Sequence, residues 1–331
     1  MSNESLTFSQ NDEDWKSVEE SSTEGIVPAA TTINVKLTFK VVLAAVVSFL
    51  TNSFPSGYNM GVVNTPEAIF KQFFNQSLSN DNGTIEENQI ALLWSLSVAI
   101  LLAGAFIGCT FTGYLADNIG RRDLLLYNAL VCLVGVGMMG MSKYIQSVPI
   151  FIAGRFIVGI HSGVGSSLVP MYLLEIAPKN FATLMGTLHV IGINSGLMVA
   201  QILGLDNLLG TADHWQLLFL IDGLIISAGL VAILFCPESM VYLWVMKQQE
   251  NKAIETLKSI RGENRLELLT DDINILRLEL KNRQANNTNQ SFVSLILKDE
   301  SFKKNLLIVC VLHAGQQLIG VSQVSKRNII I

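Results

Sequence analysis

Apolar residues along the 331-residue chain gather into six long blocks, at 41–63, 90–116, 124–141, 148–174, 184–205 and 215–236, and a seventh begins at Leu306. Each complete block runs about 18–27 residues, long enough to cross a bilayer as a helix. The pattern predicts an all-α membrane protein. It places a six-helix transmembrane bundle at 40–236, a polar linker at 237–305, the start of a seventh transmembrane helix at 306–324, and two flanking segments, 1–39 and 325–331. Within the linker, Leu269, Ile273, Leu276 and Leu280 recur at spacings of four, three and four. That puts them on one helix face and predicts an amphipathic helix packed under the bundle.

Composition supports the membrane reading. Half of the residues are apolar, 15% are charged and the mean hydropathy is +0.43, whereas a soluble domain carries about 25% charged residues. The net charge of −5 says little about partners, because seven carboxylates and a single lysine fall in the first 35 residues. With its Ser and Thr, that stretch reads as a disordered acidic tail. No apolar stretch precedes Val41, so a cleaved signal peptide is not expected. Cys109, Cys132, Cys236 and Cys310 lie in or beside apolar blocks and read as packed thiols rather than a disulfide framework.

Basic residues set the expected orientation. With the N-terminus inside, the inner segments hold Lys16, Lys36, Lys40, Arg121, Arg122, Lys179 and eleven more between 237 and 305, while the outer loops hold only Lys71 and Lys143. The glycosylation sequons at Asn75 and Asn82 then fall in the first outer loop, and those at Asn3, Asn286 and Asn289 fall inside. The expected location is the plasma membrane, multi-pass, with a cytoplasmic N-terminus and cytoplasmic linker helices. Six spans, a long inner segment and a further span match one half of a transporter built from two six-helix bundles.

Inside the blocks, Gly104 and Gly108, Gly159 and Gly163, and Gly192 and Gly196 recur at the four-residue interval that lets helix backbones approach. Gly135, Gly137 and Gly140 fit a dinucleotide fingerprint in letters, but no strand precedes them. No metal cluster, nucleophile–base pair or phosphate loop stands out. Neither an enzyme nor a cofactor nor a nucleic-acid partner is expected.

The second block ends in "GYLADNIGRRD", residues 113–123. This resembles the loop signature of the major facilitator superfamily, with Asp117 free to pair with a base or helix end, Gly120 turning the chain, and Arg121 and Arg122 anchoring one face. Other stretches narrow the resemblance to the facilitative sugar (glucose and fructose) transporters: "GYNMGVVNTP" (57–66), "LLWSLSVAI" (92–100), "GRFIVGIHSG" (154–163), "VPMYLLEIAPKN" (169–180), "GTLH" (186–189), "AQILGLD" (200–206), "CPES" (236–239) and "QQLIG" (316–320). The resemblance covers about residues 40–324 and implies the N-terminal six-helix bundle of a major facilitator fold. It also implies a sugar substrate moved by facilitated diffusion, by alternating access. Gln316 and Gln317 match paired glutamines that hold the hexose, and Ile193 and Leu197 match apolar positions beside it. Ser322 stands at a family asparagine. Arg155, in the fourth span, matches an arginine that pairs in proton-coupled relatives with a first-span aspartate. Asn59 occupies that position here, and an amide has no proton to exchange, so uncoupled transport is expected.

Several positions depart from the family pattern. Val190 replaces a fifth-span glutamine, with Asn194 one turn on. Ala182 replaces an arginine, leaving Glu175 without that partner. Val241 also replaces an arginine, and Asp222 is an extra charge in the sixth span. After Val324 the match stops, and "SKRNIII" reads as the tail of a truncated product. The first reading is therefore a hexose carrier embedded in the lipid bilayer. The alternative is a non-transporting isoform that associates with another copy or a full-length relative, or has no activity. An ion-coupled symporter ranks third.

Overall fold

The computed structural model of the chain describes residues 37–82, 86–263 and 265–285, together with 303–304, 307–309 and 311. Regular structure among these residues is helical throughout. Six helices are long and apolar enough to cross a membrane: α1 (Phe39–Gly61), α3 (Glu87–Ile119), α4 (Arg121–Ile145), α5 (Val148–Ile176), α6 (Ala182–Leu203) and α7 (Gln216–Ile233). A helix between the first two spans, α2 (Glu67–Asn82), and two helices after the sixth, α8 (Glu250–Arg261) and α9 (Thr270–Ala285), complete the described set.

Local chemistry sets several of the boundaries. Pro55 cannot donate the N–H that would reach the Thr51 carbonyl, and α1 widens into a π turn at Phe49–Ser53 just ahead of it. Helix α4 closes on Gln146 in the left-handed conformation (φ 54°). Helix α5 starts with Pro149 in its first turn, where a missing N–H costs nothing, and stops at Ala177, which Pro178 holds extended.

Helix α5 is the centre of the bundle. It packs along α3 and α4, while the second half of α1 packs on α6 and α4 on α7. The α3–α5 contact is backbone to backbone: a methyl group at Gly159 or Gly163 would run into the Leu101 or Ala105 carbonyl oxygen, and one at Gly104 or Gly108 into the Phe156 or Ile160 carbonyl oxygen. Leu102, Phe106, Leu224 and Val231 point outward and are exposed. On a soluble protein such residues would be a liability, but on a bilayer-spanning bundle they face acyl chains.

Aromatic rings seal one end. Phe70, Phe73 and Phe74 of α2 lie among Trp94, Phe151, Trp215 and Phe219, with centroid separations from 5.1 to 6.3 Å. The sequence reading set the sequons at Asn75 and Asn82 in the first outer loop and assigned no element there. The structure makes 67–82 a helix, because these three phenylalanines at i, i+3 and i+4 bury one face. At the other end a second apolar cluster unites Met240, Trp244 and Val245 with Ala253 and Leu257 of α8 and Leu269, Ile273 and Leu276 beside or on α9. The expected seventh helix at 306–324 lies largely outside the described residues, of which 307–309 and 311 are helical.

Candidate functional site

Two polar constellations stand out, one at the linker end of the bundle and one in its interior. The first is built on the α3–α4 corner. Gly120 (φ 108°, ψ 161°) turns the chain, and Arg121 then points back into the bundle and is 3% exposed. Its guanidinium donates to Glu175 Oε1 from Nε (3.2 Å) and Nη2 (3.0 Å) and to the Ala116 carbonyl from Nη1 (3.2 Å). Asp117 lies 3.5 Å from Arg121 and 3.0 Å from Arg283 of α9. Arg122 bonds its neighbour Asp123.

Glu175 is thus not left without a basic partner by the alanine at 182. Arg121 comes to it from another helix, and the Ser239 hydroxyl donates to its second oxygen. Sequence reasoning missed this pair because 54 residues separate its members. It also passed over Glu238, whose Oε1 accepts the backbone N–H groups of Arg121 (2.9 Å), Arg122 (3.1 Å) and Ser239 (2.8 Å). The carboxylate caps the first turn of α4, where free N–H groups and the helix dipole favour negative charge. Burial pushes the Glu238 carboxyl above the ordinary glutamate range, and the three N–H donors only partly draw it back. Tyr242 closes the corner: its ring sits 5.5 Å from the Arg121 guanidinium and its hydroxyl donates to the Asn118 carbonyl. The letters P-E-S at 237–239 were the available signal for this part of the site.

The second constellation lies between α1, α5 and α7. Arg155 is 2% exposed and donates to two backbone carbonyls, Ser97 from Nε (3.2 Å) and Asn59 from Nη1 (2.6 Å). The Asn59 amide nitrogen donates to the Pro55 carbonyl (2.9 Å) and to Asp222 Oδ2 (2.6 Å). The extra charge on the sixth span therefore has a partner, and that partner is Asn59, which the sequence reading sets at the position of an aspartate in proton-coupled relatives. Further along α1, Asn128 of α4 donates to Asn52 Oδ1 (2.8 Å) and to the His161 carbonyl (3.1 Å), and Ser53 Oγ meets His189 Nδ1 at 2.8 Å. Thr51, Asn52, Ser53, Ser56 and Asn59 are all buried, so α1 carries a polar seam through the bundle. Such a seam survives in an apolar surround only where its groups find partners.

The remaining expected residues are dispersed. Ile193 and Leu197 are half-buried on α6, their backbones against Gly57 and Gly61 of α1. Val190 and Asn194 are exposed, and the Asn194 amide donates to the Val190 carbonyl of its own helix. Asn75 is exposed on α2 and its Oδ1 accepts from Ser79, while Asn82 is the last residue of α2. Gln316, Gln317 and Ser322 lie outside the described residues. Among the described residues no group of three or more His, Cys, Asp or Glu could hold a metal ion.

Residues 43–325 match the family described as "Sugar (and other) transporter". The chain is 35% identical over 292 residues to solute carrier family 2, facilitated glucose transporter member 5 of Rattus norvegicus, covering 87% of this chain and 57% of that protein. The member 5 protein of Homo sapiens is 34% identical over the same span, and member 3 of Gallus gallus is 35% identical over 294 residues. The chain thus spans 57% of the length of these relatives. In fold it resembles the proton:xylose symporter XylE bound to 6-bromo-6-deoxy-D-glucose, with a TM-score of 0.66 at 22% identity, over 76% of this chain and 55% of that one. It also resembles a partially occluded inward-open form of XylE from E. coli, with a TM-score of 0.64 at 23% identity, over 74% of this chain and 60% of that one. A bundle of apolar helices, the Gly120–Arg121–Arg122 corner and a family match along most of the chain converge: this protein belongs to the family of sugar (and other) transporters.

Proposed function

We propose that the chain takes part in facilitated transmembrane movement of hexose sugars by alternating access, as one six-helix wall of the sugar pathway. The observation that carries this reading is the family match over residues 43–325, continuous through all six spans. Sugar hydroxyls both donate and accept, so amide side chains in a dry pocket suit them. Gln316 and Gln317 are the residues proposed to hold the hexose, with Ile193 and Leu197 packing beside it and Ser322 near by. Asp117, Gly120, Arg121, Arg122 and Glu175 are proposed to hold the linker end of the bundle in one access state, and Asn59 with Arg155 to brace α1 against α5. The distribution of basic residues supports a cytoplasmic N-terminus and linker, and Asn75 and Asn82 are the proposed glycosylation sites. The plasma membrane is the proposed location.

Uptake of labelled D-glucose and D-fructose, with L-glucose as control, tests the reading in cells that lack their own hexose carriers and express these 331 residues. Saturable, stereoselective uptake is expected. A glycosylated, surface-exposed chain that takes up neither sugar would instead support the second reading, association with another copy or a full-length relative.

A further inference from the structure

Asp222 sits inside α7, an apolar membrane-crossing helix, and is fully buried. A carboxylate in such a place needs a cation or a full set of donors, and it has neither. One oxygen, Oδ2, accepts the Asn59 amide at 2.6 Å, while Oδ1 has no partner. The side-chain amide oxygen of Asn59, Oδ1, is also buried without a donor. The nearby cation does not fill the gap: Arg155 directs Nε and Nη1 to the Ser97 and Asn59 backbone carbonyls and forms no bond or ion pair with Asp222.

The helices packed against α7 are α1 and α4. From α1, Tyr58 faces Asp222, but its hydroxyl already donates to the Leu218 carbonyl. From α4, the facing titratable group is the Cys132 thiol, fully buried. Arg155 of α5 reaches the pair only through the Asn59 backbone. With no neighbouring donor bonded to Oδ1, a proton carried by Asp222 itself is the hydrogen that suits the pair. A proton on Oδ1 forms an O–H bond, breaks none, turns an orphan acceptor into a donor and removes the charge.

We propose that Asp222, held by Asn59, is a proton-binding site that makes the contact between α1 and α7 sensitive to pH. The first-span position that could carry a proton in related proteins is silent here, and the amide in it serves as donor to a carboxyl on another helix. Opening that contact lets water reach Oδ1 and the proton leave, while closing it takes a proton up. The site does not require sugar flux to be driven by protons, and it stands or falls without any sugar.

The test is infrared difference spectroscopy of the purified 331-residue chain in lipid nanodiscs, stepped from mildly acidic to mildly alkaline buffer. The expected result is a carboxylic-acid C=O band that titrates in the wild-type chain and is lost in Asp222→Asn, with helical circular dichroism retained in both. Asn59→Leu, which removes the donor, is expected to move the midpoint of that band. Should Asp222→Asn fail to fold, Asp222→Glu carries the test, because its band must titrate at a shifted frequency. Identical difference spectra for wild type and the folded Asp222 variants would overturn the proposal. So would a band that responds to sodium at fixed pH as it does to protons, since that would make the pair a metal-cation site.

Discussion

Gly120 holds φ 108° and ψ 161°, a region that residues with side chains adopt only under strain, and a Cβ there would meet Glu238 and the Tyr242 ring. Gly120→Ala is expected to destabilise the folded chain by about 1–3 kcal/mol, read as a lower apparent unfolding temperature in detergent. Glu238 separates two effects at the same corner. Its burial outweighs the pull of three N–H donors, so its carboxyl ionises at a higher pH than an exposed glutamate. The stability it contributes is complete below the ordinary carboxylate range and falls as pH rises through its folded midpoint. Glu238→Gln cannot ionise but keeps an oxygen for the N–H groups, so it should flatten that fall in a series of unfolding temperatures against pH. Glu238→Ala leaves the donors unmatched and should cost about 1–3 kcal/mol across the series.

At the scale of elements, the α3–α5 contact depends on having no side chain at four positions. Gly163→Val is expected to push the Ala105 carbonyl away and lower the unfolding temperature, whereas Gly137→Ala, which has open space around it, should be neutral or stabilise by up to about 1 kcal/mol through helix propensity. Equal effects would show that the close approach does not decide the packing. These glycine pairs were readable in the sequence because helix packing leaves a four-residue interval in the letters. The six spans were readable for the same reason: block length and apolarity are local. Helix α2 was not read although Phe70, Phe73 and Phe74 are spaced for one face, because a helix of 16 residues with polar residues throughout does not stand out as an apolar block. The partner of Asp222 could not be read at all, since 163 residues separate it from Asn59 and no periodicity links two polar residues on different helices.

For the whole molecule, the consequential joint is between the bundle and the linker. The amphipathic spacing at 269–280 showed that a linker helix has an apolar face, and that face packs within the linker's own cluster. Ile260 of α8 packs into the apolar core of the bundle, and the remaining ties between the two parts are polar. Arg261, the last residue of α8, donates to the Ile176 carbonyl (2.9 Å) and the Ala177 carbonyl (3.3 Å) at the end of α5, and pairs with Asp272 of α9 at 2.9 Å. One side chain thus caps the central span and holds two linker helices, through carbonyls that the α5 terminus cannot satisfy by itself. Thr38 adds a second tie, donating to the Ile260 carbonyl ahead of α1. Arg261→Ala should therefore loosen the linker while the bundle stays folded. Limited proteolysis is expected to cut between 247 and 285 several-fold faster than in wild type, with the six spans protected, and Arg261→Lys should rescue only part of the protection because one ammonium cannot serve both carbonyls and the carboxylate. If the variant instead lost protection across the spans, the Arg261 cap would be holding α5 itself. If cleavage were unchanged, the Thr38 tie and the contacts of Arg121 and Tyr242 with the linker end would be enough to keep the two parts together.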